Sequence, residues 1–175
     1  YASAQRSFQG LTRVMQGIHP SHFAKEIAPG GCFETPEAVL CCSDEGFGGL
    51  SKNMHTFVTD HIIRPYWRNR PRPVKYNSWE GCMFDFNQHR LLDLADRARD
   101  LGCELFVLDD GWFGERNDDK AGLGDYNVNT KKLPRGMAGL ADRVPTHGLQ
   151  FGPWLQPESD KPDSDRYRAH PDVGL

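Results

Sequence analysis

Three short segments of the sequence each place an indole side chain beside at least one carboxylate: Trp79 with Glu80, Trp112 with Asp109 and Asp110, and Trp154 with Glu158. Carboxylate oxygens accept hydrogen bonds from hydroxyl groups, while an indole face can cover the apolar side of a sugar ring. These residue types therefore predict a sugar-binding site. The same carboxylates could instead hold a divalent cation. No D-x-D-x-D loop or phosphate-binding glycine motif accompanies them, so we favour the sugar and predict no metal ligands.

The two adjacent aspartates also have a simpler interpretation. An aspartate at the end of a strand often caps the following turn, and Gly111 allows such a turn. Capping explains two neighbouring carboxylates less well, because like charges repel unless each finds a donor. We therefore favour a binding role for Asp109 and Asp110. The tryptophans could equally pack between a sheet and its helices, and Glu80 and Glu158 could be buried partners of arginines.

The elements that must position these side chains form an alternating pattern from Pro73 onward. Strand-like runs at 74–79, 103–108 and 149–155 are separated by helical patterns at 87–101 and near 137–144. The middle run is almost continuously apolar, which is typical of a parallel strand buried on both faces. Strand, helix, strand, helix, strand predicts an α/β fold with a parallel sheet. Functional groups in such folds lie beyond the carboxyl ends of the strands, where the three segments occur.

Gly102 and Pro145 predict where the two helices end, and a long loop lies between these helices. Gly102 stands where a left-handed residue commonly ends a helix. Pro145 lacks an amide hydrogen, so the second helix should stop early or kink there. The polar loop at 109–134 is longer than an ordinary connection. We interpret it as a rim or lid over a polar ligand, with a solvated excursion as the alternative.

The first 72 residues have a different character. Short apolar runs broken by turn-forming residues predict an all-β piece over 1–50. Ser51 could cap a helix that continues to Ile62, and a basic, proline-broken connector follows at 68–73. Its three arginines could bind phosphate, but no glycine-rich loop accompanies them, so a solvated linker is favoured. We assign 51–72 to a helical and proline-rich linker.

Composition excludes several classes of protein. The chain has 175 residues, 21 Lys and Arg against 24 Asp and Glu, and a net charge of −3, so neither nucleic acid nor an anionic membrane is an expected partner. No apolar run approaches the roughly 18 residues of a membrane span. The five cysteines form no C-x-x-C pair, and the seven histidines form no H-E-x-x-H motif, so no zinc site is expected. The cysteine usage favours a reducing compartment, and hence the cytoplasm.

Several motifs resemble those of the bacterial α-galactosidases of glycoside hydrolase family 36. The match covers essentially the whole chain, weakly over the first seventy residues. The motifs occur in the order and at the spacing of that family, at residues 77–80, 84–86, 105–114, 132–136, 162–165 and 167–171.

The resemblance implies the first three strands of a (β/α)₈ TIM barrel over 73–175, preceded by the end of an all-β sandwich domain over 1–50. It implies hydrolysis of terminal α-linked galactose from oligosaccharides, with retention and without a cofactor. Asp109 and Asp110 match an aspartate pair that binds galactose hydroxyls, and Trp154 matches a tryptophan lining the same pocket. Trp79 resembles another pocket-side tryptophan. The family's nucleophile lies in a Lys-Trp-Asp motif that this sequence lacks, so no catalytic residue is assigned within the chain.

The chain is accordingly expected to be an inactive fragment of a homo-oligomeric glycosidase. A non-catalytic galactose-binding protein and a related galactosyl transferase are the alternatives. Two segments depart from the family pattern. Gln156 replaces a carboxylate after the third strand, and residues 80–83 read Glu-Gly-Cys-Met instead of Glu-Ala-Thr-Tyr.

Overall fold

The computed structural model describes residues 1–21 and 23–171. The last four residues of the predicted barrel segment therefore lie outside the described part. The chain divides into two compact units, Tyr1–Arg70 and Pro71–Leu175.

The first unit contains a β-hairpin and a helical segment. Strands β1 (Ala2–Arg6) and β2 (Thr12–Gln16) pair in antiparallel register. The helical segment consists of α1 (Gly46–Phe57), a π-helical turn (Val58–Ile62) and α2 (Pro65–Arg68). Residues 23–45 form no helix or strand, so the further strands expected before residue 50 are not formed there. The prediction that Ser51 caps the helix is wrong: the helix begins at Gly46, after Glu45.

The second unit is built on a parallel sheet of three strands. These are β3 (Lys75–Asn77), β4 (Leu105–Leu108) and β5 (Gln150–Pro153), with β4 in the centre. Tyr76, Phe106 and Phe151 lie side by side across the sheet. Phe106 and Leu108 are fully buried, as the apolar character of this run predicts. The prediction of an α/β fold with a parallel sheet is confirmed.

In the described part of the second unit, five helical elements accompany this sheet. They are α3 (Trp79–Cys82), α4 (Gln88–Asp100), α5 (Ala138–Ala141), a 3₁₀ turn (Pro145–His147) and α6 (Asp165–Ala169). The Asn87 side chain caps α4 by accepting a hydrogen bond from the Arg90 amide, and Gly102 follows the helix at φ 85°, as predicted. The second predicted helix ends at Ala141, and Pro145 begins the 3₁₀ turn, because proline fits the first position of a helical turn but not its interior.

The core lies between the sheet, α4 and the segments that follow β4. Leu91, Ala95 and Ala98 supply the buried face of α4. The long loop and α5 contribute further buried apolar side chains, namely Trp112, Phe113, Leu123, Leu133 and Leu140. The loop is therefore part of the packed domain and not a solvated excursion. Among the described residues, no helix has both the length and the apolar character that a membrane crossing requires.

Candidate functional site

The ends of the three parallel strands meet at one edge of the sheet. The Asn77 side-chain amide, at the end of β3, donates a hydrogen bond of 2.5 Å to Oδ2 of Asp109, which follows β4. The amide of Asp109 donates to the Ser78 hydroxyl at 3.0 Å. The amide of Trp154, after β5, donates to the carbonyl of Leu108 at 2.7 Å. The predicted convergence of these strand ends is therefore confirmed.

Asp109 keeps unused hydrogen-bonding capacity in this arrangement. Its Oδ2 accepts from Asn77, and its Oδ1 accepts from the amide of Asp110 at 2.8 Å. A carboxylate offers about four acceptor positions, and these contacts occupy two of them. Asp109 is half-buried. It can therefore accept further hydrogen bonds from a ligand's hydroxyl groups.

Asp110 has a different environment, although it is the next residue. Its carboxylate accepts hydrogen bonds from the Arg116 guanidinium at 2.8 Å (Nη2) and at 3.0 and 3.1 Å (Nε to the two oxygens). The amide of Gly111 donates to Oδ1 at 2.7 Å. The side chains of Asp110 and Arg116 are only 9% and 7% exposed. The requirement that each adjacent carboxylate find its own donor is thus met by Asn77 for Asp109 and by Arg116 for Asp110.

Arg116 is a residue of the site that the sequence pattern did not identify, although it lies in the long polar loop. The loop places its guanidinium 5.6 Å from the centre of the Phe84 ring, and Nη1 donates to the carbonyl of Ala121 at 3.1 Å. The available signal was charge: two adjacent aspartates require cations, and Arg116 lies six residues beyond the second one.

Trp154 is held at the same edge through its backbone. The buried indole of Trp112 donates its Nε1–H to the Trp154 carbonyl at 3.0 Å. The ring of Trp154 remains half-buried. Trp112 also contacts Phe113 edge-on, with ring centres 5.1 Å apart. Trp112 thus packs in the core, as the alternative interpretation held. It also positions Trp154 through the hydrogen bond to its backbone.

The segment after β5 is attached to the long loop by a tyrosine. The Tyr126 hydroxyl donates to the carbonyl of Gln156 at 2.7 Å and accepts from the Gln156 amide at 3.0 Å. Burial raises the pKa of Tyr126, so the phenol keeps its proton. Both contacts are made to the backbone of Gln156. They are therefore independent of the side chain that departs from the family pattern.

The remaining predicted residues are Glu80, Glu158 and Trp79, and none of them is fully buried. Glu80 and Glu158 are exposed, and neither takes part in an ion pair among the described residues, so the idea that they are buried arginine partners is wrong. Trp79 is half-buried and contacts the Phe84 ring edge-on, with ring centres 5.0 Å apart. Its amide donates to Oδ1 of Asn77, which also places the side chain that bonds Asp109.

Lys132 is a second residue for which the sequence pattern indicated no role. Its ammonium donates to three backbone carbonyls, those of Phe84, Gly111 and Arg116, at 3.0, 2.9 and 3.3 Å. It also lies 4.7 Å from the centre of the Phe86 ring. Burial lowers the pKa of Lys132, opposed by the negative charge of Asp110.

The site thus combines a half-exposed acceptor carboxylate, an immobilised second carboxylate and an indole ring. Such a combination can bind a polyhydroxylated ring through hydrogen bonds and apolar contact. Over residues 1–21 and 23–171, the structure contains no group of three or more His, Cys, Asp or Glu side chains arranged to hold a metal ion.

Comparison with known proteins identifies the family of the chain. The sequence profile of the melibiase family matches residues 32–175. The α-galactosidase AgaA of Geobacillus stearothermophilus is 48% identical over 163 residues, which are 93% of this chain and 22% of that protein. The α-galactosidase Mel36A of Lactobacillus acidophilus is 41% identical over 168 residues, 96% of this chain and 23% of the relative.

Solved structures also show similarity to α-galactosidases. The crystal structure of AgaA, a GH36 α-galactosidase, in complex with raffinose superposes with a TM-score of 0.83 at 45% identity, covering 98% of this chain and 24% of the crystallised one. The chain therefore spans about a quarter or less of the length of these relatives. The match of most of the sequence to the family profile shows that the chain belongs to the melibiase family, with the fold of the GH36 α-galactosidases.

Proposed function

We propose that the whole protein that includes this chain is an α-galactosidase, which releases terminal α-linked galactose from oligosaccharides. Relatives at 41% and 48% identity are named α-galactosidases. Structures of one of them contain raffinose and stachyose, so galactoside oligosaccharides of this kind are the proposed substrates. The observation in the chain that supports this function best is Asp109, a carboxylate with unused acceptor positions at the edge where three strand ends meet.

Within this function, Asp109, Asp110 and Trp154 form part of the galactose-binding site. Asp109 accepts hydrogen bonds from galactose hydroxyls through its unused acceptor positions. The half-exposed ring of Trp154 forms one wall of the pocket. Asp110, whose orientation is fixed by Arg116, is the buried carboxylate beside Asp109 at this edge. Charge-assisted hydrogen bonds of this kind are roughly twice as strong as neutral ones.

The chemical step requires groups that this chain does not supply. Retaining glycosidases use one carboxylate as nucleophile and another as acid and base, about 5 Å apart. The chain contains no Lys-Trp-Asp motif, so we propose that the nucleophile and the acid/base lie elsewhere in the whole protein. The role of this chain is to bind and orient the sugar. Holding the reacting groups in a productive geometry contributes a large share of the catalytic effect.

The architecture proposed with this function follows from the same strands. We propose that β3, β4 and β5 are the first three strands of a (β/α)₈ barrel that begins near residue 73. The β1–β2 hairpin then belongs to the end of a β-sandwich domain over 1–50, and 51–72 link the two. We further propose that the whole protein is a cytoplasmic homo-oligomer with neither nucleic acid nor membrane as its partner.

The test is the substitution Asp109→Asn in the whole protein, which keeps the shape of the side chain but removes its charge and one of its two acceptor oxygens. Loss of a hydrogen bond to a charged group costs about 1.5–3 kcal/mol, so kcat/KM for raffinose should fall roughly 10- to 100-fold. Asp119→Asn, in the exposed part of the same loop, is the matched control and should leave the kinetics unchanged. Unaltered hydrolysis by the Asp109 variant would refute the assigned role.

A binding function without catalysis is the second candidate, and the missing Lys-Trp-Asp motif favours it for the 175-residue chain alone. Calorimetric titration of the whole protein with galactose, followed by an assay for hydrolysis, distinguishes the two functions. Binding without turnover by the whole protein would support the second candidate. A galactosyl transferase would instead form new oligosaccharides when acceptor sugars are added.

A further inference from the structure

Lys132 makes an unusual set of contacts for a lysine in a packed domain. A lysine ammonium has three N–H donors, and here all three find backbone carbonyls within 3.3 Å. The ion pairs found among the described residues do not include Lys132. Its charge therefore holds three stretches of backbone together instead of neutralising one carboxylate.

The three carbonyls belong to stretches that surround the candidate site. Gly111 directly follows Asp110, and Arg116 is the residue whose guanidinium binds the Asp110 carboxylate. Lys132 thus holds the backbone on both sides of the Asp110–Arg116 ion pair. The third carbonyl, of Phe84, belongs to the segment after β3, and the Phe84 ring lies against the Arg116 guanidinium.

Lys132 is itself fixed in place by its neighbours. Its amide donates to Oδ1 of Asn129 at 3.2 Å, and its carbonyl accepts from the amide of Gln88, the first residue of α4, at 3.0 Å. Asn129 in turn donates through Nδ2 to the carbonyl of Gly114 at 2.9 Å. The backbone of Lys132 is therefore fixed on both sides, through its amide and through its carbonyl. This fixes the point from which the side chain extends to the three carbonyls.

We propose that Lys132 is a positioning residue for the galactose site, acting by locking the 111–116 turn so that Asp110 and Arg116 present one fixed arrangement beside Asp109. This inference rests on the proposed function, because it assumes that the edge formed by Asp109 and Asp110 binds the sugar. Preorganised groups bind more tightly than groups that must be ordered on binding. Without the ammonium, the carbonyls of Gly111 and Arg116 lose this hydrogen bond, and the Phe84 carbonyl keeps only its contact with the Phe86 amide. The turn then gains freedom that the ligand must remove.

The experiment compares Lys132→Met and Lys132→Gln with Lys131→Met in the whole protein. Methionine keeps the length and the apolar stem but has no hydrogen-bond donor. Glutamine has a side-chain amide with two N–H donors, which can bond to some of the three carbonyls. Lys131 is the exposed neighbour and is the matched control. The measurements are KM and kcat for raffinose, the inhibition constant of galactose, and the thermal midpoint, with kinetics recorded well below the midpoint of each variant.

We expect Lys132→Met to raise KM for raffinose and the inhibition constant of galactose together by roughly 10- to 100-fold, because small displacements of binding groups have effects of this size. Lys132→Gln should lie between Lys132→Met and the unchanged protein, and Lys131→Met should match the unchanged protein. A purely structural role would lower the thermal midpoint and the active fraction but leave both constants unaltered.

Three results would count against the proposal. Unaltered constants in a folded Lys132→Met protein overturn it while leaving the α-galactosidase function intact. Failure of both Lys132 variants to fold, judged by circular dichroism, overturns it in favour of a role in folding. If the unchanged protein neither binds galactose nor hydrolyses raffinose, the proposed function fails first and the positioning role fails with it.

Discussion

Arg116 binds the carboxylate of Asp110 through Nε and Nη2 at 2.8–3.1 Å, with both side chains more than nine-tenths buried. This contact separates the roles of two adjacent aspartates that look equivalent in the sequence. Asp110 is neutralised by a partner six residues away, whereas Asp109 keeps acceptor positions for a ligand. The site therefore has one open carboxylate and one fixed one.

The Asp110–Arg116 pair should be important for stability. Replacing Arg116 by Met leaves the Asp110 charge buried without its cation, and removing one partner of a buried pair costs about 3–5 kcal/mol. Urea denaturation followed by tryptophan fluorescence measures this loss, since Trp112 lies close by in the sequence and in the core. Arg143→Met, at an exposed position, should change stability little. An Arg116→Met protein as stable as its parent would contradict the assigned contact.

Gly111 should not tolerate a side chain. Its φ of 95° disfavours other residues, and a Cβ there would lie 2.8 Å from the Phe84 ring. Backbone strain and overpacking together should lower the free energy of unfolding of Gly111→Ala by roughly 2–4 kcal/mol. At Gly136 the φ is also positive, but a Cβ there would meet no atom within 4 Å. Gly136→Ala should therefore show only the conformational cost of about 1–2 kcal/mol, and equal losses at both sites would refute the steric argument.

The Trp154 ring should contribute to galactose affinity. Because Trp112 bonds to the backbone carbonyl of Trp154, the substitution Trp154→Ala removes the ring without removing that hydrogen bond. The ring supplies apolar contact area that alanine lacks, and burial of apolar area contributes about 25 cal/mol per Å², so the dissociation constant of galactose should rise several-fold. Calorimetric titration measures it, and Leu155→Ala, at the exposed neighbouring position, is the control. Equal affinities of the Trp154 variant and its parent would remove this residue from the site.

The contact between Asp96 and His147 should be detectable as a shifted titration. A hydrogen bond of 2.5 Å from the His147 ring, aided by Arg99, lowers the pKa of Asp96. A carboxyl group whose pKa is lower in the folded state stabilises the protein at pH values above its pKa in the unfolded state. This stability is lost as the pH falls through its pKa in the folded state. NMR titration of Asp96 should show the depression, and His147→Gln should weaken it.

The exposed pair of His89 and Asp93, 3.4 Å apart, provides the comparison for that titration. His89→Gln should leave the Asp96 titration where it was. An Asp96 pKa that does not respond to His147→Gln would show that the ring is not the main cause of the shift.

Much of the sheet could be predicted from residue patterns. The apolar run of β4 and the stripe of Leu91, Ala95 and Ala98 on α4 reflect periodicities that burial imposes locally, and Gly102 and Pro145 mark boundaries through backbone geometry alone. The first unit was less predictable. Residues 23–45 are apolar enough to suggest strands, yet they form none, because a strand requires a partner and not only a suitable composition.

The sequence alone establishes membership of the melibiase family. It also predicts three parallel strands whose ends carry Asp109, Asp110 and Trp154. The tertiary structure decides which of these groups is available to a ligand. Arg116 and Lys132 come from an irregular loop with no periodicity, and their partners depend on the path of that loop in space. Because a hydrogen bond depends on distances of a few tenths of an ångström, no spacing along the chain could show that Arg116 binds the Asp110 carboxylate while Asp109 keeps unused acceptor positions.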